Sequence, residues 1–139
     1  MLKDLKVTLE NRPGTLADLS EVLGKAGVNI EGIAGFAREV KGSEDREFVT
    51  HLAHSLVDDA TPAKRALINA GIKIEDEREA LVIDIRDRPG ELAKVTRWLS
   101  EAGINIEFFY TATRTRMVLG VTEPAKALRL LEIKYSLTS

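Results

Sequence analysis

Apolar and polar residues alternate at the start of the chain and then change their period. Leu5, Val7 and Leu9 alternate with charged or hydroxyl side chains, which is the period of a strand with one buried face. After the following Pro-Gly, apolar residues recur every three or four positions, as on an amphipathic helix. The pattern predicts a strand, a turn and a helix that Gly27 ends.

The rest of the first half continues in the same way. Strands are predicted at about 28–37 and 48–57, and the polar segment Lys41–Arg46 is the hairpin loop between them. Pro62 opens a second helix, because proline suits a first helical turn. Gly71 ends that helix before a fourth strand, which gives the order βαββαβ.

The second half repeats this order. A strand begins at Leu81 and an amphipathic helix follows it. Strands at about 104–112 and 116–121, a helix from Pro124 and a last strand at about 133–138 complete the pattern. The predicted fold class is therefore α+β, with two ferredoxin-like βαββαβ domains whose antiparallel sheets carry helices on one face.

One sequence motif occurs twice in the chain. R-P-G-T-L-A begins at Arg12 and R-P-G-E-L-A begins at Arg88, a separation of 76 positions. Between residues 5–31 and 81–107, 12 of 27 positions are identical at this offset. Amphipathic elements aligned by chance would not return Pro-Gly and Asn-Ile at one spacing, so the chain contains an internal repeat.

The repeat predicts two domains, residues 1–78 and 79–139. Each is near the lower size limit for independent folding, so the two copies are expected to share an interface. The junction at 78–80 is too short for a flexible linker, which also favours close docking.

Composition excludes several classes of function. The net charge of −2 argues against sequence-independent binding of nucleic acid, which needs a basic surface. The chain contains 0 cysteines, which excludes disulfides, thiolate metal sites and cysteine nucleophiles. We find neither an apolar signal segment nor a run long enough to span a bilayer, so a cytoplasmic protein without membrane contact is expected.

Each R-P-G motif lies between a predicted strand and a predicted helix, with Asn11 or Asp87 at the strand end. Glycine lets the backbone approach a bound molecule, and a helix N-terminus offers unpaired N–H groups to a carboxylate. Asn29 and Asn105 begin the next strands and add amide groups. A small zwitterion fits this set, with its ammonium on a carbonyl or on Asp87. A purely structural turn explains each motif equally well when it is taken alone.

The motifs N-R-P-G-T-L-A…G-V-N-I-E and D-R-P-G-E-L-A…G-I-N-I-E resemble the signature of ACT domains. That family consists of small βαββαβ modules that bind amino acids and regulate metabolic enzymes. The resemblance covers nearly all of the chain as two tandem copies. It implies a non-catalytic regulatory protein whose amino-acid effector lies between paired domains, with no cofactor, no metal and no catalytic residue.

The family's ligand contacts come from the first strand-to-helix loop of one domain and the second strand of its neighbour. The implied effector-binding residues are Asn11, Arg12, Pro13, Gly14, Thr15, Asn29, Ile30, Asp87, Arg88, Gly90, Glu91, Asn105 and Ile106. The two sites differ where Asn11 is matched by Asp87 and where Thr15 is matched by Glu91, so unequal binding is expected. A homodimer is the expected assembly, and a separate metabolic enzyme or transporter is the expected partner.

Three other functions stay open. The N-terminal motif also resembles the regulatory subunit of acetolactate synthase, which would make this chain an interaction subunit of a biosynthetic enzyme. Asn11 and Arg12 nominally supply an acylphosphatase site, but the loop lacks the glycine-rich pattern of that family. An RNA-binding sheet would need aromatic and basic residues on its third strand, and Glu47–His54 contains one Phe.

The remaining candidates have mainly structural interpretations. His51 and His54 are three apart on a predicted strand, so they point to opposite faces, which argues against a metal pair. One packed and one exposed histidine are expected, with one histidine in a ligand pocket as the alternative. Arg12 and Arg88 are interpreted as solvated charges at a turn, with an anion clamp as the alternative. The aromatic run at 108–110 is interpreted first as part of the core and of a domain interface, and second as a stacking wall for a ligand.

Overall fold

The computed structural model describes residues 2–41 and 47–138, so most of the predicted hairpin loop Lys41–Arg46 lies outside the described residues. In the described residues the elements are β1 (Lys3–Glu10), α1 (Thr15–Lys25), β2 (Ile30–Lys41), β3 (Glu47–Val57), α2 (Ala60–Asn69), β4 (Lys73–Glu79), β5 (Leu81–Asp84), α3 (Glu91–Glu101), β6 (Ile106–Ala112), β7 (Arg116–Val121) and α4 (Pro124–Thr138). No helix in this part of the chain is long and apolar enough to cross a membrane.

The chain divides into two compact units, Leu2–Arg78 and the segment from Glu79 onward. In the first unit the strand order is β4-β1-β3-β2, and β3 runs antiparallel to β1 and β2. In the second unit the order is β6-β7-β5, and β7 runs antiparallel to both neighbours. The predicted α+β, ferredoxin-like fold is confirmed.

Each unit has a hydrophobic core between its sheet and its helices. The first core consists of Leu5, Val7, Leu9, Leu19, Leu23, Val28, Ala53, Val57, Ala63 and Leu67. The second consists of Leu81, Val95, Leu99, Ile104, Met117, Leu119, Val121, Ala127 and Leu131. Every second residue of the strands and one face of each helix supply these side chains. The twofold period of the strands and the 3.6-residue period of the helices thus place their apolar residues in the same core.

The predicted last strand at 133–138 is wrong, because α4 continues as a helix to Thr138. A continuing helix keeps its backbone hydrogen bonds within the segment. It also places Leu131 and Tyr135 four residues apart on one face. Leu131 is buried in the second core, and the Tyr135 ring meets Trp98 edge-on with centroids 5.5 Å apart.

The aromatic run on β6 divides between the two faces of its strand. Phe108 and Tyr110 stack with centroids 6.2 Å apart, and Tyr110 is buried. The Phe108 ring lies against Gly120 of β7, which leaves no room for a Cβ atom there. Phe109 is 68% exposed, so its interpretation as a core residue is wrong.

A buried polar pair lies on the sheet of the first unit. His54 Nδ1 is 2.8 Å from Asp4 Oδ2, and Asp4 is 1% exposed. The strand register places both residues on the face away from the first core, since Leu5 and Ser55 are direct partners on the core side. His54 therefore pairs with a carboxylate within the sheet.

Candidate functional site

The first junction connects β1 to α1 through a tight turn. The Arg12 N–H donates to the Glu10 carbonyl at 3.0 Å, and Gly14 follows with φ 93° and ψ −10°. The Gly14 carbonyl accepts the first helical hydrogen bond from the Asp18 N–H at 2.9 Å. A left-handed conformation costs an L-residue about 1–2 kcal/mol, so the turn requires glycine at position 14.

The second junction repeats this backbone geometry between β5 and α3. The Arg88 N–H donates to the Arg86 carbonyl at 2.8 Å. Gly90 has φ 88° and ψ −10°, and its carbonyl accepts from the Lys94 N–H at 3.0 Å. The sequence repeat is therefore also a repeat of the turn.

Both junctions present an open helix N-terminus. Within the described residues no side chain caps α1 at Gly14 or α3 at Gly90. Leu16 and Leu92, in the first turns of these helices, are 54% and 41% exposed. Uncapped N–H groups and the partial positive charge of the helix end can hold a carboxylate.

Two glycines of the first unit are expected to respond to alanine with opposite signs. Gly14→Ala should destabilise the protein by about 1 kcal/mol, because alanine would have to adopt the left-handed conformation. Gly24→Ala should stabilise it by about 0.5 kcal/mol, because Gly24 is helical and its Cβ would meet nothing within 4 Å. Urea denaturation followed by circular dichroism measures both, and equal effects would contradict the role assigned to Gly14.

Side chains of the first junction form an exposed ion pair. Arg12 Nε donates to Glu10 Oε2 at 2.8 Å, and these side chains are 55% and 78% exposed. The hydrogen bond that Arg12 donates to Glu10, and then the negative charge of that carboxylate, raise the pKa of Arg12 above its ordinary value. Thr15 is buried and its hydroxyl donates to the Arg12 carbonyl at 3.3 Å, while Asn11 is exposed.

The second junction instead buries a carboxylate. Glu91 is 6% exposed, accepts a hydrogen bond from Arg88 Nε and lies 3.1 Å from Lys94 Nζ. The Arg88 hydrogen bond, followed by that of Lys94, lowers the pKa of Glu91 below its ordinary value. Lys94 Nζ also lies over two aromatic rings, 5.6 Å from the centroid of Trp98 and 5.5 Å from the centroid of Tyr135. Sequence reasoning missed Lys94, although its spacing of three from Glu91 was a signal.

The two asparagines use their backbones to anchor the next strands. The Asn29 N–H donates to Asp58 Oδ1 at 3.1 Å, and the Asn29 carbonyl accepts from the Asp58 N–H at 3.4 Å. In the second unit the Asn105 carbonyl accepts from the Thr122 N–H at 3.1 Å. Both asparagine side chains are exposed.

Within one unit the two halves of the predicted site lie at opposite ends of the sheet. Lys3 and Ile30 both pair with Val57, so Ile30 is level with the start of β1. The turn that begins at Asn11 follows the other end of β1, about 23 Å away at 3.3 Å per residue. A single unit therefore does not bring Asn29 and Ile30 to its own junction. Ile106 pairs with Val121 at the matching end of the second sheet.

Three grooves lie near the junctions. A groove of about 390 Å³ at the first junction is lined by Thr8, Leu9, Glu10, Arg12, Thr15, Asp18, Glu21, Val22, Lys25, Ala70, Gly71 and Ile72. Beside α1, an apolar groove of about 350 Å³ is lined by Leu9, Leu16, Ile33, Ala34, Gly35, Phe36, Ala37, His51 and Ala53. Beside α3, a charged groove of about 670 Å³ is lined by Asp84, Ile85, Arg86, Asp87, Arg88, Glu91, Lys94, Thr115 and Tyr135. His51 thus faces an apolar groove and His54 a carboxylate. Residues 2–41 and 47–138 contain no acidic or histidine cluster that could hold a metal.

Comparison with known proteins gives the following similarities. The sequence model of the ACT domain matches residues 3–68 and 80–132. Protein BT0572 from Bacteroides thetaiotaomicron is 25% identical with a TM-score of 0.77, and the match covers 97% of this chain and 90% of that chain. The regulatory subunit of aspartate kinase from Thermus thermophilus is 21% identical with a TM-score of 0.65, covering 94% and 90%. E. coli aspartokinase III in complex with lysine and aspartate is 15% identical with a TM-score of 0.53, covering 97% and 30%. No significant match was found among curated proteins.

Proposed function

This chain belongs to the ACT domain family, as two tandem copies, and we propose that it is a non-catalytic regulatory protein that binds a free amino acid. The observation that carries the proposal is the uncapped helix N-terminus behind a left-handed glycine, present at both Gly14 and Gly90. Its N–H groups suit an amino-acid carboxylate. Two of the solved structures that share the fold are a regulatory subunit of aspartate kinase and an aspartokinase in complex with lysine and aspartate.

The acidic groups near each junction suit the ammonium group of the same ligand. Glu10 and Asp18 lie beside the first turn, and Asp84 and Asp87 line the groove of the second. A zwitterion would thus have donors for one end and carboxylates for the other. The effector contacts implied for Asn11–Thr15 and for Asp87–Glu91, with the paired asparagines and isoleucines, stay predictions.

The apolar groove beside α1 favours an effector with an apolar side chain. Its wall includes Leu16, which belongs to the open first turn, and Ile33, which is 41% exposed. The small residues Gly35, Ala37 and Ala53 leave the groove open. An amino acid bound by its carboxylate at the helix end could place an aliphatic side chain there, so leucine, isoleucine, valine and methionine are the favoured candidates.

The regulated target is proposed to be a separate enzyme of amino-acid metabolism. Phe36 lines the same groove and is 56% exposed, and an exposed apolar surface of this kind also fits a protein partner. That surface supports the second candidate function, an interaction subunit without its own sensing role. A homodimer and a transporter as partner stay predictions.

A thermal-shift screen of the twenty amino acids tests the proposal. A ligand that binds only the folded protein should add roughly 2.7 kcal/mol of stability at a hundred times its dissociation constant. We expect an apolar amino acid to raise the melting temperature. No shift with any of the twenty would reject the sensor function, and co-purification of a biosynthetic enzyme would then favour the interaction subunit.

Gly35→Val tests whether the effector occupies the apolar groove beside α1. Its Cβ would meet the Leu52 carbonyl oxygen at an ordinary 3.6 Å, so valine should fill the groove without disturbing the strand. The variant should lose the ligand-induced shift, whereas Gly24→Ala, which lies outside the groove, should keep it. A full shift in Gly35→Val would place the ligand elsewhere.

A further inference from the structure

The two junctions share a backbone turn but hold different acids. At the repeat offset of 76, Thr15 is matched by Glu91 and Asp18 by Lys94. Arg12 donates to Glu10 of the preceding strand at 2.8 Å and lies 3.9 Å from Asp18 of the helix, whereas Arg88 donates to Glu91, the first residue of its helix. The second junction therefore contains a carboxylate at a position where the first has only a hydroxyl.

The two carboxylates also differ in how easily another anion could replace them. Glu10 and Arg12 are both largely exposed, and an exposed ion pair contributes little and exchanges readily with solvent. The Glu91 side chain is 8% exposed and has two cationic partners, Arg88 and Lys94. Lys94 is further held over the Trp98 and Tyr135 rings.

The difference between the junctions lies in the burial of these ion pairs and not in the net charge of the grooves, because Glu10, Asp18 and Glu21 oppose Arg12 and Lys25 at the first junction and the second groove is balanced. The six ionised side chains of the second groove cancel, with Asp84, Asp87 and Glu91 opposing Arg86, Arg88 and Lys94. The groove of about 670 Å³ is large enough for a small carboxylate, but Glu91 already pairs with Arg88 and Lys94 in it. Removal of the Glu91 charge would leave a net charge of +1 at an open helix N-terminus.

We propose that Glu91 acts as an internal carboxylate that occupies the second junction, so that the chain binds amino-acid effector at the first junction only. This inference rests on the proposed function for its physiological meaning. It makes Thr15 and Glu91 the matched residues that decide which copy accepts a carboxylate ligand. One effector per chain is the expected stoichiometry.

The first experiment does not depend on an amino-acid effector. Trp98 is the single tryptophan of the chain and its ring lies near Lys94, so its fluorescence reports on the second junction. Acetate, the simplest carboxylate, is titrated at constant ionic strength into wild type, Glu91→Thr, Glu91→Gln and the control Glu101→Thr. Glu101 is an exposed glutamate at the other end of α3.

We expect a saturable fluorescence change in Glu91→Thr and Glu91→Gln, with acetate affinity about tenfold above wild type, because a like charge no longer opposes the ligand. Glu101→Thr should behave as wild type. Circular dichroism confirms folding, and Glu91→Gln, which keeps the size of the side chain, decides the result if Glu91→Thr is unfolded. Equal acetate binding by wild type and a folded Glu91 variant would overturn the inference.

Calorimetric titration with the amino acid found in the screen gives the second readout. Wild type should bind one equivalent per chain, Glu91→Thr two, and Thr15→Glu none. Two equivalents in wild type, or one in a folded Glu91→Thr, would overturn the inference while leaving the sensor function intact. Absence of any amino-acid ligand rejects the sensor function alone, and the acetate titration then decides the role of Glu91.

Discussion

Replacement of Asp4 by alanine is expected to cost about 3 kcal/mol of folding stability, because it removes one member of a buried, hydrogen-bonded pair. Asp4 Oδ2 lies 2.8 Å from His54 Nδ1, and the two residues are 1% and 8% exposed. His54 then loses its hydrogen bond with that carboxylate at a buried position. Chemical denaturation followed by circular dichroism measures the loss.

Two further variants make this prediction specific. Asp4→Asn keeps an oxygen that can pair with the imidazole, so its cost should be nearer 1 kcal/mol. Asp76→Ala removes an exposed aspartate from β4 of the same sheet and should change stability by less than 0.5 kcal/mol, as is usual for surface positions. If Asp4→Ala proves as mild as Asp76→Ala, the buried pair does not stabilise the fold.

Gly120→Ala is the second change with a large expected effect, at about 2 kcal/mol of destabilisation from overpacking. A Cβ atom at this position would lie 2.1 Å from Phe108 Cε1 and 2.3 Å from Cζ, so the ring must move. The ring is stacked on Tyr110, which is buried, and movement would disturb that contact too. Thermal unfolding measures the change in stability.

The same substitution made in the variant Phe108→Ala provides the control. In Phe108→Ala the obstacle is gone, so Gly120→Ala should then be nearly neutral or mildly stabilising. The coupling energy from the double-mutant cycle should equal most of the single-mutant cost. An undiminished effect of Gly120→Ala in that background would show that the clash with Phe108 is not its cause.

Most of the fold could be predicted because local signals agree with one another. Alternation at Leu5, Val7 and Leu9 and helical spacing after Gly14 both pointed to the same core, and the elements formed where expected. The C-terminal segment failed because Ile133, Tyr135 and Leu137 alternate as a strand would. Periodicity over six residues cannot distinguish that strand from a helix whose opposite face stays exposed, and Ile133 and Leu137 are 58% and 78% exposed.

The candidate site could be predicted only as far as its backbone. The Pro-Gly pairs specified turns that end in a left-handed glycine, and Gly14 and Gly90 adopt that conformation. Side-chain partners depend on tertiary packing, so the sequence did not reveal that Glu91 would be buried between two cations. The register places Asn29 at the end of its own unit that is far from the first turn, so a shared site of Asn29 and that turn stays a prediction about paired domains.

The separate cores of the two units have a consequence for how the protein is made. All buried members of the first core precede position 68, and the last strand of its sheet ends at Glu79. At about 5–20 residues per second, a ribosome needs roughly 3–12 s to add the residues that follow, up to position 139. The first half can therefore begin to fold before the second half is complete. That order of synthesis protects two similar sequences from exchanging strands or helices, which is a common way for repeat proteins to misfold.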